Sequence, residues 1–322
     1  MGCNDQSALS VSDPLPYTLY RTGNAIDVVT ESKGGICLMG GSREVDNAMR
    51  WFLNQANQGD IMVLRASGSD GYNDYMFSQL GVTINSVTSI VMDSGDGSFH
   101  PELRDQIEKA EGIWVAGGNQ WKYVDFWKYT PIDSLIQDAV QNRNVVIGGT
   151  SAGMAILGEY IFSAEKGTIT SLEALENPYN EKVTIDTFYF LSLSILEGVI
   201  TDSHYSQRGR QGRHAAMMAQ VAQDKNILSK GIGLDEKTAM TIENNGIANV
   251  FGEHNAYFIQ ATGYPELCVP DQPLTWDHNG EAMAVYVIPK TGTFDLTSWQ
   301  FGTGGTWEYW SVMEGVWQSK PF

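Results

Sequence analysis

Val145-Val146-Ile147-Gly148-Gly149-Thr150-Ser151-Ala152-Gly153-Met154-Ala155-Ile156-Leu157 is the stretch that decides the fold. A β-branched apolar run halts at two glycines, a serine follows in the frame Gly-Thr-Ser-Ala-Gly, and helix-forming residues continue. This is the pattern of a nucleophile elbow: a buried strand, a sharp turn, and a helix whose N-terminus lies beside the serine. The turn needs small residues. Anything larger at 149 or 153 would strike strand or helix, and the turn holds Ser151 in a strained backbone conformation. The helix start also offers an unpaired N–H, that of Ala152, to a developing oxyanion. A glycine-rich strand-to-helix turn in any α/β protein carries the same letters, so the motif has to be read with its surroundings.

Upstream, residues 34–41 (GGICLMGG) read as a buried strand ending in Gly40-Gly41. Residues 43–58 follow with Val45, Ala48, Met49, Phe52 and Leu53 at helical spacing. Strands are expected at 60–64 and within 82–92, with a short helix at 74–80. Pro101 opens a helix over 101–110 in the favoured first-turn position. Residues 112–118 form a fourth strand ending in Gly117-Gly118, and a helix at 131–142 leads into the elbow strand. Continuous apolar strands separated by helices imply a mainly parallel sheet covered on both faces. Ligands of such sheets bind at the carboxyl ends of the strands, where Gly40-Gly41, Gly117-Gly118 and Ser151 would converge.

Beyond the elbow, residues 160–195 are loop-rich, 196–201 read as a strand and 207–225 as a helix. From 231 onward the pattern is β-structure with turns, and Trp299, Trp307, Trp310 and Trp317 crowd the end. The expected organisation is an N-terminal tether over 1–30, an α/β domain over 31–262, and a β-rich extension over 263–322 packed on it.

Composition bounds the partners. Acids outnumber bases 38 to 20 over 322 residues, for a formal net charge of -18, which disfavours nucleic acid and anionic membranes. Cys3, Cys37 and Cys268 form neither a disulfide framework nor a metal-binding spacing. No apolar stretch reaches the roughly 18 residues of a membrane-spanning helix. Met1-Gly2-Cys3 followed by a polar, Ser-rich stretch resembles the end of a bacterial lipoprotein signal, so lipidation at Cys3 and export from the cytoplasm are expected.

Ser151 needs a base and an orienting carboxylate. Of His100, His204, His214, His254 and His278, His204 is placed best. It follows the apolar strand 196–201, in Thr201-Asp202-Ser203-His204-Tyr205-Ser206-Gln207-Arg208. Asp202, Asp235 and Glu236 all stand at strand ends and remain candidates for the acid. An α/β-hydrolase runs Ser, acid, His, and would instead need His254 or His278. Arg208, Arg210 and Arg213 gather cations just after His204. They suit either recognition of a carboxylate on the substrate or an ion-paired helix surface.

With Ser151, His204 and Glu236 placed, the chain resembles peptidase family S51, and within it the cyanophycinases. The resemblance rests on Gly117-Gly118-Asn119-Gln120, Gly148 to Gly153, Asp202 to Arg213, and Gly231 to Glu236, in the family's order over about 35–260. It implies a class I glutamine amidotransferase-like (flavodoxin-like) α/β three-layer sandwich. It further implies Ser151 as nucleophile, His204 as base and Glu236 as orienter. The N–H groups of Gly118 and Ala152 would form the oxyanion hole, and Gln120, Asp202, Ser203, Arg208, Arg210 and Arg213 would bind substrate. The implied substrate is cyanophycin, a poly-aspartate backbone with arginine on each β-carboxyl. It would be cut to β-aspartyl-arginine dipeptides by an exopeptidase through an acyl-enzyme, without metal or organic cofactor, by a homodimer. Ser203 and Asn119 depart from the common Gln and Asp of cyanobacterial members, and the long tail and exported start resemble the extracellular bacterial branch. These departures leave room for another β-aspartyl peptide as substrate. An esterase with a late histidine and a non-enzymatic binding protein of the same fold are the remaining readings.

Overall fold

The computed structural model describes residues 14–187 and 194–322. Cys3, the expected lipidation site, lies outside the described residues. The strands are β1 (Tyr17–Gly23), β2 (Ile36–Met39), β3 (Asp60–Arg65), β4 (Ser86–Met92), β5 (Gly112–Val115), β6 (Val146–Thr150), β7 (Tyr160–Phe162), β8 (Ile185–Thr187) and β9 (Val199–Asp202). They continue with β10 (Lys230–Leu234), β11 (Thr238–Ile242), β12 (Ile247–Gly252), β13 (Asn255–Ala261), β14 (Met283–Pro289), β15 (Gly292–Asp295), β16 (Gly302–Thr303), β17 (Thr306–Met313) and β18 (Val316–Pro321). The helices are α1 (Asp46–Gln55), α2 (Pro101–Lys109), α3 (Gln120–Trp127), α4 (Pro131–Gln141), α5 (Ala152–Ala155), α6 (Ser171–Glu176) and α7 (Gln211–Lys225).

The strands form two sheets, in the orders β1-β4-β3-β5-β6-β2-β11-β12-β15-β16 and β18-β17-β14-β13-β10-β9-β7-β8. The first is parallel only through β4-β3-β5-β6-β2. There the continuous apolar strands bury both faces. On one face, Phe52 of α1 packs edge-on against Trp114 of β5 at 5.2 Å, with Met49, Leu53 and Val63 around them. On the other, Leu103 and Ile107 of α2 and Ile132 and Ile136 of α4 cover Leu64, Ile113 and Ile147.

A single mainly parallel sheet is therefore too simple. The chain is an α/β fold with a β-rich C-terminal region, and antiparallel strands complete both of its sheets. Residues 17–23, read as part of a tether, form the antiparallel edge strand β1, with Tyr17 opposite Met92 and Gly23 opposite Ser86. The C-terminal strands also enter existing sheets. β15 and β16 extend the first, while β14, β17 and β18 extend the second. The tryptophans follow this incorporation: Trp299 and Trp310 are buried, and Trp307 and Trp317 are packed against the core.

In the second sheet β9 and β10 run parallel, with Asp202 opposite Gly233. After β10 the chain leaves this sheet and enters the first as β11, through Asp235-Glu236-Lys237. The carboxyl ends of β2 and β6 thus meet those of β9 and β10. Backbone hydrogen bonds fasten the meeting point: Ser151 N to Met39 O at 3.0 Å, His204 N to Gly40 O at 2.8 Å, and Lys237 N to Gly41 O at 3.0 Å.

Candidate active site

Ser151 follows β6 directly and precedes α5, with φ 53° and ψ -114°. A non-glycine residue in that region is strained, and it persists only where the surroundings over-determine it. Close packing does so here. A Cβ on Gly153 would come 2.0 Å from the carbonyl oxygen of Val115, and one on Gly149 would come 2.6 Å from the carbonyl carbon of Gly153. The helix therefore lies against β5 and β6, and the serine is pushed into the turn.

His204 stands two residues past β9, also at positive φ (47°). Its Nε2 is 2.7 Å from Ser151 Oγ, and its Nδ1 is 2.7 Å from Glu236 Oε1. A carboxylate only accepts, so Nδ1–H donates to Glu236 and the bare Nε2 accepts from the serine hydroxyl. Burial, the largest influence, holds the imidazole pKa below its usual value, and Arg208 and Arg210 push the same way against Glu236. The bond from His204 keeps the Glu236 carboxyl below its own usual range. At neutral pH the arrangement is neutral base beside ionised carboxylate, as general-base activation of a hydroxyl requires.

The rings of His100, His214 and His278 are engaged elsewhere. The His100 ring bonds Tyr17 Oη at 2.9 Å, and His278 Nε2 bonds Tyr264 O at 2.7 Å. His214 is buried between Tyr205 Oη (3.0 Å) and Ile200 O (3.2 Å), with burial lowering its pKa to about 4. No hydrogen bond joins the His254 ring to Ser151. The order assembled around the serine is therefore Ser, His, acid along the chain.

The three acidic candidates separate. Asp235 accepts from the backbone N–H groups of Ser206 (2.7 Å) and Asn255 (3.1 Å), which pins the His204 loop to the sheet. Asp202 is 2 % exposed and takes a bidentate fork from Arg213, Nε to Oδ2 at 2.8 Å and Nη2 to Oδ1 at 2.6 Å. Arg210 Nη1 adds 3.1 Å to Oδ1 and 2.7 Å to Ser203 O. Burial alone would raise the Asp202 pKa, but Arg213 and Arg210 outweigh it and bring it down to about 2. Asp202, Ser203, Arg210 and Arg213 thus form an internal network, with the remaining Nη1 of Arg213 donating to Thr168 Oγ1 at 3.2 Å. Arg208 is exposed. Gln120 Nε2 donates to Phe162 O at 3.0 Å, and Asn119 caps α3 by accepting from Trp121 N at 3.0 Å.

Gly118, at the end of the β5 loop, has φ 150°. Among the described residues no backbone hydrogen bond engages its N–H or that of Ala152. Sequence reasoning placed Gly40-Gly41 at this edge without giving it a role, and did not single out Gln207, whose Oε1 accepts from Glu236 N at 2.9 Å. A double glycine ending a strand signals the first. Nothing local signals the second, because Gln207 meets Glu236 across 29 residues.

Fold and site together define a protein with a strained serine, a histidine base and an orienting carboxylate at the carboxyl edge of an α/β sheet. The chain belongs to peptidase family S51, whose family model matches residues 36–250. It is 27% identical over 178 residues to the cyanophycinase of Trichormus variabilis, covering 54% of each chain. To the cyanophycinase of Synechococcus elongatus it is 29% identical over 181 residues, 56% of this chain and 50% of that one. The chain spans about half the length of the curated relatives it matches. A solved structure of a peptidase from an acI-B1 Actinobacterium has the same fold, with TM-score 0.50 and 16% identity, covering 70% of this chain and 91% of that one.

Proposed function

We propose that this protein is a serine peptidase that cleaves aspartyl peptide bonds, with cyanophycin as its polymer substrate. The observation that carries the reading is the unbroken relay from Ser151 Oγ through His204 to Glu236, 2.7 Å at each link. The Ser151 proton passes to His204 Nε2 as Oγ bonds the carbonyl carbon of an aspartyl residue. The oxyanion accepts from the N–H groups of Gly118 and Ala152. Collapse breaks the C–N bond and the leaving amine takes the proton from His204. Water then attacks the resulting ester with His204 as base, the C–Oγ bond breaks, and Oγ regains its proton from His204 as the acid is released. The substrate part of the reading is supported by the similarity to cyanophycinases.

Insoluble cyanophycin incubated with wild type and with Ser151→Ala tests this. Wild type releases β-aspartyl-arginine and the variant releases none. Release by Ser151→Ala would overturn the mechanism. An inert polymer together with hydrolysis of short β-aspartyl peptides would overturn the polymer assignment and leave the peptidase.

A further inference from the structure

Arg65 ends β3 at the same edge of the sheet as Ser151. Leu64 pairs with Val115 of β5, Val115 pairs with Gly149 of β6, and Ala116 N donates to Leu64 O at 3.0 Å. Arg65 is thus level with the Ala116–Gly118 turn that borders the nucleophile. A Cβ on Gly117 would lie 3.5 Å from Ser151 Cβ, whereas one on Gly118 would lie 3.8 Å from Ser67 Oγ. The turn has Ser151 on one side and the Arg65–Ser67 segment on the other.

The guanidinium is held in place. Its Nε donates to Ser67 O at 3.1 Å, and its central carbon lies 5.5 Å from the centroid of the Tyr72 ring, whose hydroxyl bonds Glu44. The chain passes close beneath it at Gly68, where a Cβ would meet Nη2 at 2.6 Å. Yet among the described residues no acid pairs with Arg65. The ion pairs of the described residues take Arg43, Arg50, Arg143, Arg210 and Arg213, and none takes Arg65. In a chain with 38 acids to 20 bases, a half-buried arginine held across the Gly117–Gly118 turn from the serine, and in no ion pair among the described residues, is set up for an anion from outside. The arginine fork matches a carboxylate.

We propose that Arg65 binds a carboxylate of the substrate on the Gly118 side of Ser151, opposite exposed Arg208 on the His204 side. This rests on the peptidase reading above. A poly-aspartate carrying arginine on every β-carboxyl presents a free carboxylate at each branch, so one lies beyond the scissile carbonyl whichever bond is cut.

The test uses (β-Asp-Arg) trimers with their arginine carboxylates free or amidated. Wild type prefers the free acid. Arg65→Gln loses roughly tenfold or more in kcat/KM on the free acid, in keeping with a charged hydrogen bond, and keeps its rate on the amide. Arg65→Lys, which keeps the charge without the fork, falls between. Equal losses on both trimers, or no loss, would overturn the proposal. If wild type cleaves neither trimer, the peptidase reading fails on its own. Calorimetric binding of the free-acid trimer to Ser151→Ala and to Ser151→Ala/Arg65→Gln then decides for Arg65. Tighter binding to the first supports it, and equal or absent binding rejects it.

Discussion

Gly41 leaves the space that His204 fills. A Cβ at position 41 would lie 2.6 Å from both Nε2 and Cε1 of the imidazole and 3.1 Å from Ser151 Cβ, on a backbone at φ 96° that side chains rarely adopt. The β2 loop therefore sets the distance between base and nucleophile. Gly41→Ala should lower kcat on the order of 100-fold, the scale of a displacement near 1 Å at a reacting centre. Its far-ultraviolet circular dichroism should match wild type. A rate within twofold of wild type would mean that the loop moves freely and positions nothing.

The strain at Ser151 predicts a stability gain on losing function. Glycine adopts φ 53° and ψ -114° without the steric cost that serine bears, a cost of about 1–3 kcal/mol. Ser151→Gly should be inactive and unfold at higher urea than wild type, while Ser151→Ala should be inactive without that gain. An unchanged midpoint for the glycine variant would argue that the turn is relaxed.

The pH profile follows from the protonation state of His204. Only the neutral imidazole accepts the serine proton, so kcat/KM falls as pH falls through its pKa. Burial moves that midpoint below 6.5. Arg208 contributes to the lowering, so Arg208→Gln should move the acid limb upward in pH, whatever it does to KM. A limb that stays fixed on Arg208→Gln would exclude that electrostatic link. Glu236→Gln should cost roughly 10⁴-fold in kcat, because the amide no longer favours the required tautomer.

Asp202 predicts a stability effect rather than a purely kinetic one. Its pKa is about 2 in the folded chain against an ordinary 3.8. The ionised carboxylate thus contributes stability that is complete above 3.8 and is lost as pH falls toward 2. Asp202→Asn leaves the Arg213 guanidinium buried without its counter-charge, at a cost of about 3–5 kcal/mol. Urea unfolding at neutral pH measures it. A variant as stable as wild type but weak in substrate binding would return Asp202 to the substrate.

The elbow, the strands and the main helices were legible because each is local. Apolar continuity, paired glycines and helical spacing lie within a dozen residues. His204 was legible for the same reason, as a histidine just past an apolar strand. The choice among Asp202, Asp235 and Glu236 was not. All three end strands, and what separates them is the direction each side chain takes once β9 and β10 pair. Asp202 turns to Arg213, Asp235 to backbone N–H groups, and Glu236, on the crossover between sheets, to the imidazole. The arginine trio was equally ambiguous, since an Arg beside a substrate and an Arg beside a buried Asp read the same in one dimension.

The edge strand β1 and the C-terminal strands mark the other limit. Their alternation is weak and their partners lie far along the chain: Tyr17 pairs with Met92, and Met283 with Trp310. Nothing local says which sheet they join. By itself the sequence determined a serine in a tight turn between strand and helix and a histidine just past an apolar strand, because steric room and polarity are properties of short segments. Only the tertiary structure decided that two mixed sheets meet at that serine, that Glu236 faces His204, and that the Arg65–Ser67 segment borders the Gly118 turn. Those outcomes depend on which distant segments come within hydrogen-bonding reach, and reach is settled by packing.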